Sequence, residues 1–238
     1  MIALVDYGMG NLRSVEKALA RVGANVRIVN DRDSVIEAEA LVVPGVGAFG
    51  DCMKNLEKLD LVGAIREYID TGRPFLGICL GMQGLFLSSE ESPGVKGLAV
   101  FEGVVPRFHF GNGKVNLRVC EQTQAQAGTP VPPRAGGLKV PHMGWNQLRI
   151  RQRGCPLLQN VENGSYVYFV HSYYCQPGDD KLVCATTEYG LEFCSMLWAG
   201  NVFATQFHPE KSQTVGLKML ENFVRMAGKS GDRRQKSG

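Results

Sequence analysis

The chain has 238 residues, 44% of them hydrophobic and 21% charged, which fits one large α/β domain with a substantial core. No apolar stretch approaches the length of a membrane span, and Met1-Ile2-Ala3-Leu4-Val5-Asp6 reads as a buried strand without a basic leader, so the expectation is a cytoplasmic protein. The formal charge of +3 is accounted for by the tail, where Lys229, Arg233, Arg234 and Lys236 face only Asp232, and a balanced body argues against a nucleic-acid-binding face.

In chain order, residues 2–6, 26–29, 41–43 and 75–78 are short, apolar and rich in β-branched side chains, as expected of parallel strands covered on both faces. Leu12, Val15, Leu19 and Val22 fall at helical spacing between the first two, and residues 61–69 give another helix before the fourth strand. This alternation predicts a parallel sheet with right-handed crossovers, in which chemistry sits beyond the carboxyl ends of the strands. The second half reads as strands over residues 100–108, 146–150, 166–170, 182–187, 192–198 and 202–206, with a closing helix over 213–226. Seven cysteines at irregular spacing, with no CxxC pair, argue against a disulfide framework and against a zinc site.

Three motifs lie at the ends of these strands. Val42-Val43-Pro44-Gly45-Val46-Gly47-Ala48-Phe49-Gly50 runs from an apolar strand into a glycine-dense loop that can bring backbone N–H groups close to an oxyanion. Gly77-Ile78-Cys79-Leu80-Gly81 sets a nucleophile between two glycines at a strand-to-helix turn, with the helix expected to continue through Phe86. Unpaired N–H groups and the positive end of the helix dipole there favour a thiolate. Gln206-Phe207-His208-Pro209-Glu210 follows the last strand; Pro209 biases His208 toward extended backbone, in which residues i and i+2 point the same way. Glu210 can then hold the imidazole of His208 and leave its other nitrogen facing a thiol.

With Asp6-Tyr7-Gly8-Met9-Gly10-Asn11-Leu12, Pro141-His142-Met143-Gly144-Trp145-Asn146, His171-Ser172-Tyr173-Tyr174 and His208-Pro209-Glu210-Lys211-Ser212, these pieces resemble the class I glutamine amidotransferases over residues 1 to about 108 and about 139 to 227. The Pro-Gly-Val-Gly and His-Met-Gly-Trp-Asn pieces narrow the resemblance to the histidine-biosynthetic branch. The fold this implies is a flavodoxin-like, mostly parallel sheet flanked by helices, with additional antiparallel strands in the second half.

The resemblance also implies an activity and its residues. Glutamine would be hydrolysed through a thioester on Cys79, with His208 as acid and base and Glu210 orienting it. Leu80 and Val46 or Gly47 would supply the oxyanion N–H groups. Gln83, Glu91 and the backbone at Ser172 would hold L-glutamine, with Glu90 as the alternative to its neighbour. Neither metal nor cofactor is implied. The ammonia would pass to the (β/α)8-barrel cyclase subunit of imidazole glycerol phosphate synthase in a heterodimer, with Trp145, Tyr168 and Lys211 as candidates for the interface. A stand-alone cysteine hydrolase, a non-catalytic regulatory subunit and the glutaminase of pyridoxal phosphate synthase remain as alternatives.

Residues 1–227 would form the amidotransferase domain. Within it, residues 109–138 depart from the family pattern and read as a flexible insertion of Gln, Ala, Gly and Pro. Residues 228–238 read as a basic, disordered tail.

Overall fold

A computed structural model describes residues 1–110 and 138–235. In chain order the strands are β1 (Ile2–Val5), β2 (Val26–Val29), β3 (Ala40–Val43), β4 (Phe75–Ile78), β5 (Ser88–Ser89), β6 (Gly103–Val105), β7 (His142–Gln147), β8 (Arg149–Ile150), β9 (Tyr166–His171), β10 (Gln176–Pro177), β11 (Val183–Glu188), β12 (Glu192–Ala199) and β13 (Val202–Thr205). The helices are α1 (Leu12–Arg21), α2 (Arg32–Glu37), α3 (Phe49–Lys58), α4 (Leu61–Asp70), α5 (Leu80–Gln83) and α6 (Gln213–Gln235).

Eight strands form one sheet in the order β2-β1-β3-β4-β13-β12-β11-β8. The first five run parallel, as the βαβ rhythm predicts, and β12, β11 and β8 continue antiparallel. Side chains alternate across it. Ala3, Val5, Leu41, Val43 and Phe75 pack with α2, α3 and α4 on one face. Ile2, Leu4, Val42, Leu76 and Ile78 pack with α1 and α6 on the other. Asn11 and Asp31 cap α1 and α2 by accepting from the N–H groups of Ser14 and Ser34.

The register positions the chemistry. Gly77 in β4 pairs with Val43 of β3 on one side and Ala204 of β13 on the other. The carboxyl ends of β3, β4 and β13 therefore lie side by side, and the three motifs that follow those strands meet at one edge.

Several expectations need correction. The helix after Cys79 is one turn, Leu80–Gln83, and stops well before Phe86. The residues that follow supply turn and loop hydrogen bonds instead: Leu98 N–H donates to Gly84 O, and Val100 and Phe101 N–H both donate to Leu85 O. Those same bonds occupy the backbone at residues 100–101, so the expected strand 100–108 is reduced to Gly103–Val105, with an isolated bridge from Arg107 to Tyr173. The expected strand 146–150 is a corner: β7 pairs with β9 in a separate two-stranded sheet, β8 joins β11, and Leu148 turns between them. Helix α3 is not among the expected elements, although Phe49, Cys52, Met53 and Leu56 are buried at i, i+3, i+4 and i+7. Helix α6 extends past residue 226 to Gln235. The expected insertion falls almost wholly on residues 111–137, outside the described residues, as does the last part of the expected tail. Among the described residues, no helix is long and apolar enough to cross a membrane.

Candidate active site

Cys79 sits between β4 and α5 with φ 54° and ψ −104°, a backbone conformation that L residues rarely hold and that costs about 1–3 kcal/mol. Its flanking glycines make the turn possible. A Cβ on Gly77 would lie 2.7 Å from the Gly81 carbonyl oxygen, and one on Gly81 would collide with the Val43 carbonyl. The Cys79 N–H donates to Thr205 O at 2.7 Å, and the N–H groups of Met82 and Gln83 donate back to its carbonyl. Leu80 is the first residue of the helical turn, a position whose N–H has no intrahelical acceptor.

Opposite lies the segment after β13. His208 is extended, at φ −99° and ψ 98°, as Pro209 leads one to expect. Residues Pro209–Lys211 are not extended, however; they form a 3-10 turn, and this turn carries Glu210 Oε1 to 2.8 Å from His208 Nδ1. Both side chains are almost wholly buried, at 3% and 1% exposure. Ser212 locks the turn, its Oγ donating to His208 O at 2.6 Å and accepting from Tyr168 N–H at 3.0 Å. Gly216 of α6 is required beneath, since a Cβ there would strike the Pro209 carbonyl.

Burial alone would disfavour the charged ring of His208. Cys79 and Glu210 together outweigh it and push His208 up to about 10. With Nδ1 committed to Glu210, Nε2 is the nitrogen left for Cys79. Nε2 and Glu210 Oε2 are both buried and make no hydrogen bond among the described residues.

The glycine loop seats against the same turn. Tyr7 Oη donates to Pro44 O at 2.8 Å, and burial, with Cys52 and Cys79 adding to it, holds that hydroxyl protonated as a donor. A Cβ on Gly45 would lie 2.5 Å from Tyr7 Oη and 2.6 Å from Leu80 Cβ, so the loop lies directly on the start of α5. Gly47 adopts φ +103° beside Met9, and Val46 between the two glycines is exposed.

The remaining sequence candidates fall into two groups. Gln83 is buried, its Nε2 3.2 Å from both Tyr173 O and Gln206 Oε1. Glu91 Oε2 accepts from Phe49 N–H at 2.7 Å, at the start of the helix that leaves the glycine loop. Its neighbour Glu90 turns away and accepts from Arg107 N–H. The Ser172 carbonyl accepts from Phe108 N–H, and Ser172 lies between His171 and Tyr173, whose contacts belong to the site. Trp145, Tyr168 and Lys211 form a second, contiguous group. Trp145 meets Tyr168 edge-on at 6.0 Å between ring centres, and Lys211 Nζ lies 5.8 Å over the Tyr168 ring.

Four contributors received no role from sequence: Tyr7, Ser212, Gln206 and the pair His142–His171. Gln206 stands two residues before His208, the spacing that extended backbone puts on one face, although residues 206–207 form a bend. His142 Nδ1 and His171 Nε2 are 2.9 Å apart, and burial pushes the two rings down to about 4 and about 3, so both are neutral. Among the described residues no group of three His, Cys, Asp or Glu could hold a metal, and the described cysteines are free thiols.

The family model for glutamine amidotransferase class-I matches residues 3–227. The chain is 50% identical over 227 residues to the imidazole glycerol phosphate synthase subunit HisH of Geobacter sulfurreducens, covering 94% of this chain and 98% of that one. It is 49% identical over 223 residues to the subunit of the same name from Geobacter metallireducens, covering 94% and 97%. A solved structure described as a glutamine amidotransferase shares the fold, with a TM-score of 0.67 at 19% identity over 96% of this chain and 100% of that one. The chain thus belongs to the class I glutamine amidotransferase family, in the branch of the HisH subunits.

Proposed function

We propose that the chain hydrolyses L-glutamine to glutamate and ammonia at Cys79 and hands the ammonia to the cyclase subunit of imidazole glycerol phosphate synthase for histidine biosynthesis. The observation that carries this reading is the junction of a strained cysteine elbow with a buried His208–Glu210 pair. The elevated His208 suits the first step. At neutral pH the ring holds a proton beside the sulfur, ready for the departing nitrogen. Sulfur attacks the side-chain amide carbon, the C–N bond breaks, and Nε2–H supplies the proton that ammonia needs to leave. Now neutral, His208 takes a proton from water as it adds to the thioester, and the C–S bond then breaks with its electron pair returning to sulfur. Glu210 holds the ring in one orientation throughout. The N–H groups of Leu80 and of Val46 or Gly47 serve the oxyanion, a role in which one donor is commonly worth about 3 kcal/mol. Gln83 and Glu91, with the backbone at Ser172, hold the substrate; Glu91 is favoured over Glu90 because it reaches the glycine loop's helix.

Docking to the cyclase is supported by the exposed face of the β7–β9 sheet. Met143, Trp145 and Tyr166 are 63%, 46% and 52% exposed there, unusual for large apolar side chains. Trp145 lies directly across from Tyr168, and Lys211 adds a charge at the rim. A hydrolase that works alone has no use for such a face. The reading carries with it a cytoplasmic heterodimer, in keeping with the free thiols.

An electrophilic analogue of glutamine tests the assignment. Peptide mapping after incubation is expected to find Cys79 labelled, with protection by glutamine. Labelling of another cysteine, with Cys79 intact in an inactivated protein, would remove Cys79 as nucleophile.

A further inference from the structure

Gln206, the residue that follows β13, is wholly buried, and its Nε2 lies 3.6 Å from Cys79 Sγ. Which end of that amide faces sulfur is decided by the groups behind it. The Tyr173 carbonyl can only accept, so the Gln83 terminus 3.2 Å away is its NH2 group. That same NH2 lies 3.2 Å from the other end of the Gln206 amide, which must therefore be the oxygen. Gln206 is left presenting its own NH2 to Cys79.

The chain of bonds continues from Tyr173 and is pinned at its far end by a second carbonyl. Asn146 Nδ2 donates to Glu188 O at 2.9 Å and lies 3.3 Å from His142 Nε2, which accepts. His142 Nδ1 then carries the proton toward His171 Nε2, and His171 Nδ1 donates to Tyr173 O at 2.8 Å. Read from either end, the tautomers and amide orientations agree. The carbonyls of Tyr173 and Glu188 thus fix the amide orientations and histidine tautomers along the chain of bonds.

We infer that Gln206 is a catalytic residue, donating Nε2–H to Cys79 Sγ whenever sulfur carries negative charge. Two moments need it. Before attack it stabilises the nucleophile. In thioester hydrolysis it receives sulfur as the leaving group, when the C–S electron pair returns to Sγ while the proton from water resides on His208. The inference rests on the reading of Cys79 as nucleophile.

The test is the rate at which iodoacetamide alkylates Cys79 at neutral pH, followed by peptide mapping to separate it from the other thiols. Gln206→Met, which keeps the volume and removes the donor, should slow alkylation about tenfold or more, with recovery at high pH. Gln206→Glu, which keeps the acceptor for Gln83 and sets an anion beside sulfur, should slow it further. The kcat for glutamine should fall in the same order, with KM changing less. Melting curves identify a variant that fails to fold. Should the Met variant fail, the Glu variant and the Gln206 side-chain amide resonance of the wild-type chain, which must shift when Cys79 is alkylated, still decide. Alkylation within twofold of wild type in a folded variant overturns the assignment of Gln206. If the glutamine analogue does not label Cys79 at all, it is the nucleophile reading that fails.

Discussion

The backbone N–H of His208 donates to the carbonyl oxygen of Tyr168 at 2.9 Å. One residue belongs to the buried pair beside Cys79, and the other stands in the exposed aromatic face of the β7–β9 sheet. Ser212 closes the loop between them, accepting from Tyr168 N–H and donating to His208 O. The proposed docking face and the proposed general acid thus share a single small ring of hydrogen bonds.

Replacing Ser212 should loosen that ring. Ser212→Ala leaves the Tyr168 N–H and one bond to the His208 carbonyl without a partner in a buried site, at a cost of about 1–3 kcal/mol. Thermal melting should show the loss of stability, and kcat should fall more than KM rises. An active site indifferent to this change would mean that the turn holds His208 without Ser212.

Trp145→Ala should weaken binding of the cyclase partner at least tenfold by titration calorimetry, as truncating a central aromatic anchor typically costs about 2 kcal/mol. Unchanged affinity would move the interface off the β7–β9 face.

Gly81→Ala should be among the most damaging small substitutions in the chain. Its Cβ would strike the Val43 backbone, which cannot swing aside as a flexible side chain would. A loss of about 3 kcal/mol or more in denaturant unfolding is expected. A neutral result would show that α5 can lift away from β3.

The buried histidines set the acid side of stability. His142 and His171 are held at about 4 and about 3, below the ordinary value of 6.5, so the unfolded chain binds protons that the folded chain refuses. Their contribution is complete above about 6.5 and drains away as pH falls toward 4 and then 3. His142→Gln should flatten the fall of stability between about pH 6.5 and 4 by up to about 1.4 kcal/mol per unit. His208 has the opposite sign: its elevated value stabilises the fold below 6.5 and the benefit declines as pH rises toward 10. An acid slope in His142→Gln equal to wild type would mean that His142 is charged in the folded protein.

Much of this was legible in the chain because periodicity and glycine placement are local signals. Alternation gave the parallel strands, and the two glycines around Cys79 announced a turn that the packing of Gly77 and Gly81 explains. The His208–Glu210 contact was anticipated, although a 3-10 turn, not extended backbone, makes it. Contacts made across the sheet left no such trace. The bond from Tyr7 to Pro44 spans 37 residues and that from Gln83 to Gln206 spans 123, so neither has a spacing to read. The pairing of β7 with β9, which joins Trp145 to Tyr168, is equally nonlocal. The corner at Leu148 was invisible for another reason, since alternation continues through it while the backbone changes partners.

The most direct test of the central claim is synthesis by the reconstituted complex of Cys79→Ala with the cyclase, supplied in turn with glutamine and with high ammonium at alkaline pH, where more of it is NH3. The change removes one sulfur from a buried site and leaves the exposed β7–β9 face intact. Glutamine-dependent synthesis should vanish, and ammonium-dependent synthesis should persist in the cyclase. Retention of glutamine-dependent synthesis would contradict Cys79 as the source of ammonia, and loss of both in a well-folded complex would contradict a division of labour between the two subunits.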